Sequence, residues 1–161
     1  MRSSERVLGR AEFEKSGLAQ RIQRLHAILR ARYPFIARVA LALYDPETDL
    51  LKTFASSTEG GQTLTRHEAT LASVPSLLAL RDARQARVVD DIAQSFPAHS
   101  VHTDWLKSQH YRSSYTLPVY RGDELSAFVF FDAVECAAFT PAVTEVMRPW
   151  LPVSARPTVT R

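Results

Sequence analysis

The chain has 161 residues, with 45% hydrophobic and 23% charged side chains and a formal net charge of +3. This is enough for one domain with its own core, and it excludes a disordered or fibrous chain. Lys and Arg number 20 against 17 Asp and Glu, an excess too thin and too evenly spread for a phosphate-binding stripe, so nucleic acid is not an expected partner.

Cys136 is the single cysteine; it cannot form an internal disulfide and suits a reducing, cytoplasmic setting. No run of eighteen apolar residues is present, so no membrane span is expected, and residues 1–6 lead into mixed charge rather than the apolar core of a signal peptide.

In chain order, Leu8, Ala11, Lys15, Leu18, Ile22, Leu25 and Leu29 recur three and four apart, which puts one narrow stripe on a helix. Two readings of that stripe stay open. It covers a sheet of its own domain, or Leu18, Ile22, Leu25 and Leu29 also pair with a second copy in a homodimer. Pro34 disfavours helical geometry at Tyr33, so residues 1–33 are expected to form an N-terminal helix, 34–151 the main domain and 152–161 a tail.

The dense apolar run from Phe35 to Tyr44 reads as a buried strand. Asp45-Pro46-Glu47-Thr48-Asp49 is a turn in which Asp side chains bond nearby backbone, and Leu50 to Ser56 is the returning strand. Residues 56–65 read as a loop. Its Gly60-Gly61 lacks the Lys-Ser/Thr ending of a phosphate cradle. A helix over 71–86, a short strand over 87–92 and a short helix over 103–110 follow. A second hairpin runs from Ser113 to Tyr120 and from Leu125 to Asp132 around Arg121-Gly122-Asp123, and Thr140-Pro141 caps a last helix. The order predicts an α+β fold. A central, mainly antiparallel sheet carries the terminal helices on one face, and short helices and loops cover a pocket on the other.

Chemistry-bearing clusters are few. His99, His102 and His110 lack metal-ligand spacing, so no metal site is expected, and His26 and His67 read as surface residues. Cys136 sits beside Glu135, which opposes thiolate formation, and no Gly-x-Ser-x-Gly elbow accompanies Ser113 and Ser114. Asp90 and Asp91 point to opposite faces of a strand, which argues against a shared proton; Asp91 reads as a cap or a pocket contact. The chain is therefore not expected to be an enzyme, a reaction at His102, His110 or Cys136 being the least favoured reading.

The stretch Tyr111-Arg112-Ser113-Ser114-Tyr115-Thr116-Leu117-Pro118-Val119-Tyr120-Arg121-Gly122-Asp123-Glu124-Leu125-Ser126-Ala127-Phe128-Val129-Phe130-Phe131 resembles the C-terminal hairpin of GAF domains. Phe139-Thr140-Pro141 is similar to the start of that family's final helix, and Val88-Val89-Asp90-Asp91-Ile92 to its valine-rich strand; residues 18–151 follow its order of elements. The resemblance implies a GAF/PAS-like fold and a bacterial small-molecule sensor or dimerisation module, of the kind found ahead of HD-type phosphohydrolase or diguanylate-cyclase output domains.

The chain lacks the Asn-Lys-x-Asp motif of cyclic-nucleotide-binding members, the Cys-His of bilin-attaching ones and the cysteines of methionine-sulfoxide-reducing ones. No cofactor follows from the sequence, and the ligand has no identity at this level. The pocket is expected between the sheet and residues 99–111. Trp105, Tyr111, Phe128 and Phe130 would give it apolar area, and Asp91, His102, Ser114 and Thr116 orienting hydrogen bonds. A covalently linked output domain is an expected partner.

Overall fold

The computed structural model describes residues 2–58, 68–95, 104 and 107–151. Helix α1 (Arg2–Arg32) leads into strands β1 (Ile36–Asp45), β2 (Leu50–Thr58) and β3 (Glu68–Thr70). A 3-10 turn (Leu71–Ser73), helix α2 (Pro75–Ala83), strand β4 (Arg87–Val89) and a short α3 (Ile92–Ser95) follow. The long hairpin β5 (Ser113–Arg121) and β6 (Glu124–Ala133) precedes α4 (Pro141–Met147) and a closing 3-10 turn (Arg148–Trp150). The six strands form one sheet in the order β3-β2-β1-β6-β5-β4, every neighbouring pair antiparallel.

Local chemistry explains the joints. Asp45 closes the first hairpin as expected, accepting from Glu47 N at 3.0 Å and Thr48 Oγ1 at 2.8 Å. In the second, Gly122 takes a left-handed φ of 62° at the first position of a two-residue turn, a geometry that suits the strand twist and favours glycine. Thr140 Oγ1 accepts from Val143 N, and Pro141 occupies the first turn of α4.

The sheet has two unlike faces. Between the bulges near Ala37 and Ser126, odd residues of β1, β5 and β6 point toward the terminal helices. There Val39, Leu41, Tyr115, Leu117, Val129 and Phe131 join Ile22 and Leu29 of α1 and Met147 of α4 in one apolar core. Even residues of that stretch point the other way, and past the second bulge Leu125 joins them. At one end of that face the 3-10 turn and α2 supply Leu71, Leu77 and Leu80 against Ala42, Leu51, Leu125 and Phe128. A smaller cluster of Ala37, Val89, Ile92 and Tyr111 lies at the other end.

The leucine stripe of α1 covers its own sheet: Ile22 and Leu29 are buried in the core and Leu18 and Leu25 pack against it. Other expectations need correction. His26 is not a surface residue. It is 2% exposed, and its ring nitrogens lie 2.7 Å from Ser57 Oγ and 2.8 Å from the Ile36 carbonyl. The carbonyl only accepts, so Nε2 carries the proton and, in the neutral ring, Ser57 donates to Nδ1. The segment 71–86 divides into the 3-10 turn and α2, because Pro75 opens a new helix after Val74. Short β3 extends the sheet where no strand was expected. Residues 59–65 and the tail 152–161 lie outside the described residues.

Candidate functional site

The face away from the terminal helices carries the polar chemistry. Register defines two cross-strand rows. In the first, Thr58, Arg38, Asp132, Ser114 and Val89 sit opposite one another on β2, β1, β6, β5 and β4. In the second, Ser56, Ala40, Phe130, Thr116 and Arg87 do the same. Opposed residues share a face, so both rows look away from α1 and α4. At about 4.8 Å per strand each row is roughly 19 Å long, the span of a small-molecule site.

Arg38 and Asp132 form the centre. Arg38 Nη1 donates to Asp132 Oδ2 at 2.6 Å, with side-chain exposures of 1% and 2%. The bulge at Ala37 places Arg38 there. Ile36 pairs with Ala133 and Arg38 with Asp132, so the extra residue sends Ile36 to the helix side and Arg38 to the other. Complete burial pushes the Asp132 carboxyl above the ordinary carboxylate range, and the Arg38 charge and hydrogen bond pull it back in part. A buried pair like this is weak evidence for stability, because desolvation offsets the attraction; a functional reason for keeping it is the better question.

The surroundings add donors and acceptors. Ser114 and Thr116 are buried on this face, as expected, with Phe128 and Phe130 on the neighbouring strand. Tyr111 is 3% exposed beside Ala37, Val89 and Ile92, and its hydroxyl is pushed up to about 12, first by burial and then by the Asp132 charge. Burial lowers the pKa of Arg87. Ser56 Oγ and Thr58 Oγ1 are buried with no hydrogen-bond partner among the described residues. Leaving such a hydroxyl unsatisfied costs about 1–3 kcal/mol, so two on one face ask for an explanation.

Asp91 plays a different part from a pocket contact. Its carboxylate accepts from Ala93 N at 3.1 Å, capping α3, and from Arg112 Nη2 at 3.0 Å, which holds its pKa below the usual value. Of the other expected site residues, the structure brings Tyr111, Ser114, Thr116, Phe128 and Phe130 to one face. His102 and Trp105 lie outside the described residues, as do His67 and His99. His110 is exposed, and Cys136 is exposed in the segment after β6. Among the described residues no three His, Cys, Asp or Glu side chains could hold a metal ion. No described helix is long and apolar enough to cross a membrane.

Arg38, Asp132, Ser56, Thr58 and Arg87 were not expected at the site. The available signal was one charge inside each of two otherwise apolar strands, Arg38 in 35–44 and Asp132 after Phe131. Single charges of opposite sign in buried strands ask for each other.

A half-open groove of about 780 Å³ lies on the opposite side of the sheet, between α1, the closing 3-10 turn and the hairpin ends. Leu18, Leu25, Leu43, Val129 and Trp150 line it, and its charges, Arg21, Arg121 and Glu124, belong to exposed residues. Among the described residues its lining has no buried charged group that could orient a ligand, so the polar face is the better site.

No family model matches the chain, and no curated protein sequence matches it. Solved structures do. The phycocyanobilin-bound GAF domain of a cyanobacterial phytochrome superposes with a TM-score of 0.62 at 22% identity, over 89% of this chain and 86% of that one. A GAF domain/HD domain protein from Geobacter sulfurreducens gives 0.64 at 18% identity, over 84% and 89%. A type II free methionine-R-sulfoxide reductase from Thermoplasma acidophilum gives 0.60 at 16% identity, over 88% and 91%. The fold is therefore that of GAF domains, as the hairpin and the order of elements imply.

Proposed function

We propose that this chain is a sensory or regulatory module of GAF type, not an enzyme. In this reading a small molecule binds the face that carries Ser114, Thr116, Phe128 and Phe130, and the terminal helices pass its presence to a linked output domain. One observation carries the reading: a buried ion pair and unsatisfied hydroxyls are gathered on one sheet face, where a core would use apolar side chains. Solved neighbours such as the phycocyanobilin-bound GAF domain and the GAF domain/HD domain protein are consistent with it. A ligand shifts the helices only through differential affinity for two arrangements, on the order of 1–3 kcal/mol.

Native mass spectrometry of the chain purified from cells tests the proposal. The expected spectrum shows added mass that leaves on unfolding and is missing in Ser114→Leu. A bare mass, together with no melting shift from nucleotides, haem or amino acids, would overturn it.

A second reading is a homodimeric interaction domain that needs no ligand. The apolar groove favours it, with Trp150 at its edge and 53% exposed. Light scattering on Trp150→Glu decides this. Dissociation of a wild-type dimer supports the reading, and a wild type that is already monomeric at high concentration removes it.

A further inference from the structure

We propose that the outer side of α1, beside Trp150, docks a protein partner: an amphipathic helix whose apolar face is bordered by Asp and Glu. The inference stands apart from the ligand reading above, which concerns the other face of the sheet.

The surface is apolar and concave. Leu18, Arg21, Leu25, Ile28 and Arg32 recur three and four apart, so they share one side of α1. Ile28 and Trp150 are large apolar side chains left exposed. Trp150 lines both the groove of about 780 Å³ and a second hollow of about 520 Å³, which also meets Ile28, Tyr33 and Val146. Contiguous exposed apolar surface of this kind marks an interaction site, and Trp is a favoured anchor. From residue 18 to residue 32 the helix rises roughly 21 Å, the length of about four turns of a partner helix laid along it.

Charge selects the partner. The sequence from Lys15 to Tyr44 contains no Asp or Glu. Arg21, Arg24 and Arg32 are exposed on α1, and Arg21 and Arg32 line the groove and the hollow respectively. The carboxylates nearby are offset or distant. Glu124 stands opposite Arg121 at the hairpin end, and Glu145 pairs with Arg148 at 3.9 Å. Asp45 and Glu47 flank Pro46, at the end of β1 far from Arg32. The rim along α1 is therefore cationic, and carboxylates bordering an apolar helix face complement it.

Other occupants fit less well. A two-fold pair of copies would set the same arginine-bordered patch against itself. The tail 152–161 carries Arg156 and Arg161 and no Asp or Glu. A flat bilayer does not reach Leu43 and Val129, which belong to the sheet at the floor of the groove.

The test uses labelled synthetic helices of about four turns, read by fluorescence anisotropy against the full chain. The first has leucines at i, i+3, i+4 and i+7 with glutamate on the flanks, the second has lysine in place of glutamate, and the third is a scramble of the first. The glutamate helix should bind about tenfold or more tighter than either of the others. Arg21→Glu/Arg32→Glu should reverse the preference in favour of the lysine helix, a gain that a folding defect does not produce. Trp150→Ala should weaken the glutamate helix about tenfold or more.

Equal binding of the glutamate and lysine helices, or no binding of the glutamate helix, would overturn the inference. A wild-type dimer that Trp150→Ala dissociates would overturn it in favour of a second copy. Binding to phosphatidylserine vesicles that Trp150→Ala abolishes would overturn it in favour of a membrane surface. None of these outcomes touches the ligand reading.

Discussion

The two faces of this sheet solve the same burial problem differently. Toward the terminal helices, Val39, Leu41, Val129 and Phe131 meet α1 and α4 with no charged pair between them. On the other side, one residue along the same strands, Arg38, Asp132, Ser114 and Thr116 are as deeply buried, yet they are polar. Burial alone therefore does not separate core from site. The first face is accounted for by apolar packing, and the second needs a polar partner for its hydroxyls.

The largest effect expected comes from breaking the pair on the polar face. Asp132→Leu alone leaves Arg38 buried without its counter-charge and should cost about 3–5 kcal/mol in denaturant unfolding. Adding Arg38→Met should restore most of that loss. Equal damage from the single and double variants would show that the pair is an ordinary packing element and erase the contrast between the faces.

On the helix face, Leu29→Ala removes a side chain that ties α1 to the sheet and should cost about 2–5 kcal/mol by the same measurement. Unlike the paired charges, it should have no second-site rescue. Thr140→Ala removes the cap of α4 and should cost about 1 kcal/mol in thermal unfolding. Serine at 140 should recover most of that.

The smallest effect is a pH dependence of opposite sign in the two environments. The exposed carboxylate of Asp45 and the half-buried ones of Asp49 and Asp91 are held below the ordinary carboxylate range by hydrogen bonds, first from Thr48, Tyr44 and Arg112 respectively. Their stabilisation is present above pH ~4 and is lost as pH falls through the lowered values. Asp132 is raised by burial, so its contribution is fully present below pH ~4 and fades as pH rises through its folded value. Melting temperature followed from neutral to acid pH should rise slightly and then fall. The early rise should be missing in Arg38→Met/Asp132→Leu, and a wild-type curve that only falls would contradict the raised carboxyl.

The fold was largely legible because its signals are local. Proline after Tyr33, an Asp-Pro turn, a Gly-Asp turn and a Thr-Pro cap each specify a joint by short-range chemistry. The site was legible only in part. Ser114, Thr116, Phe128 and Phe130 follow from period-two alternation within one hairpin. Arg38 needed a bulge at Ala37 to turn it from its neighbour Ile36, and a bulge is invisible to alternation. Its partner Asp132 is 94 residues away, and Ser56 and Thr58 acquire meaning only once β2 is set in register against β1. His26 was misjudged for the same reason, since both ring nitrogens find partners outside α1.

The most direct test of the central claim is a crystal structure of the protein as isolated from cells. The account predicts ligand density against the face that carries Ser114, Thr116, Phe128 and Phe130, with a polar ligand atom within hydrogen-bond distance of Ser56 or Thr58. A face filled by the chain's own side chains, with both hydroxyls satisfied from within, would contradict it.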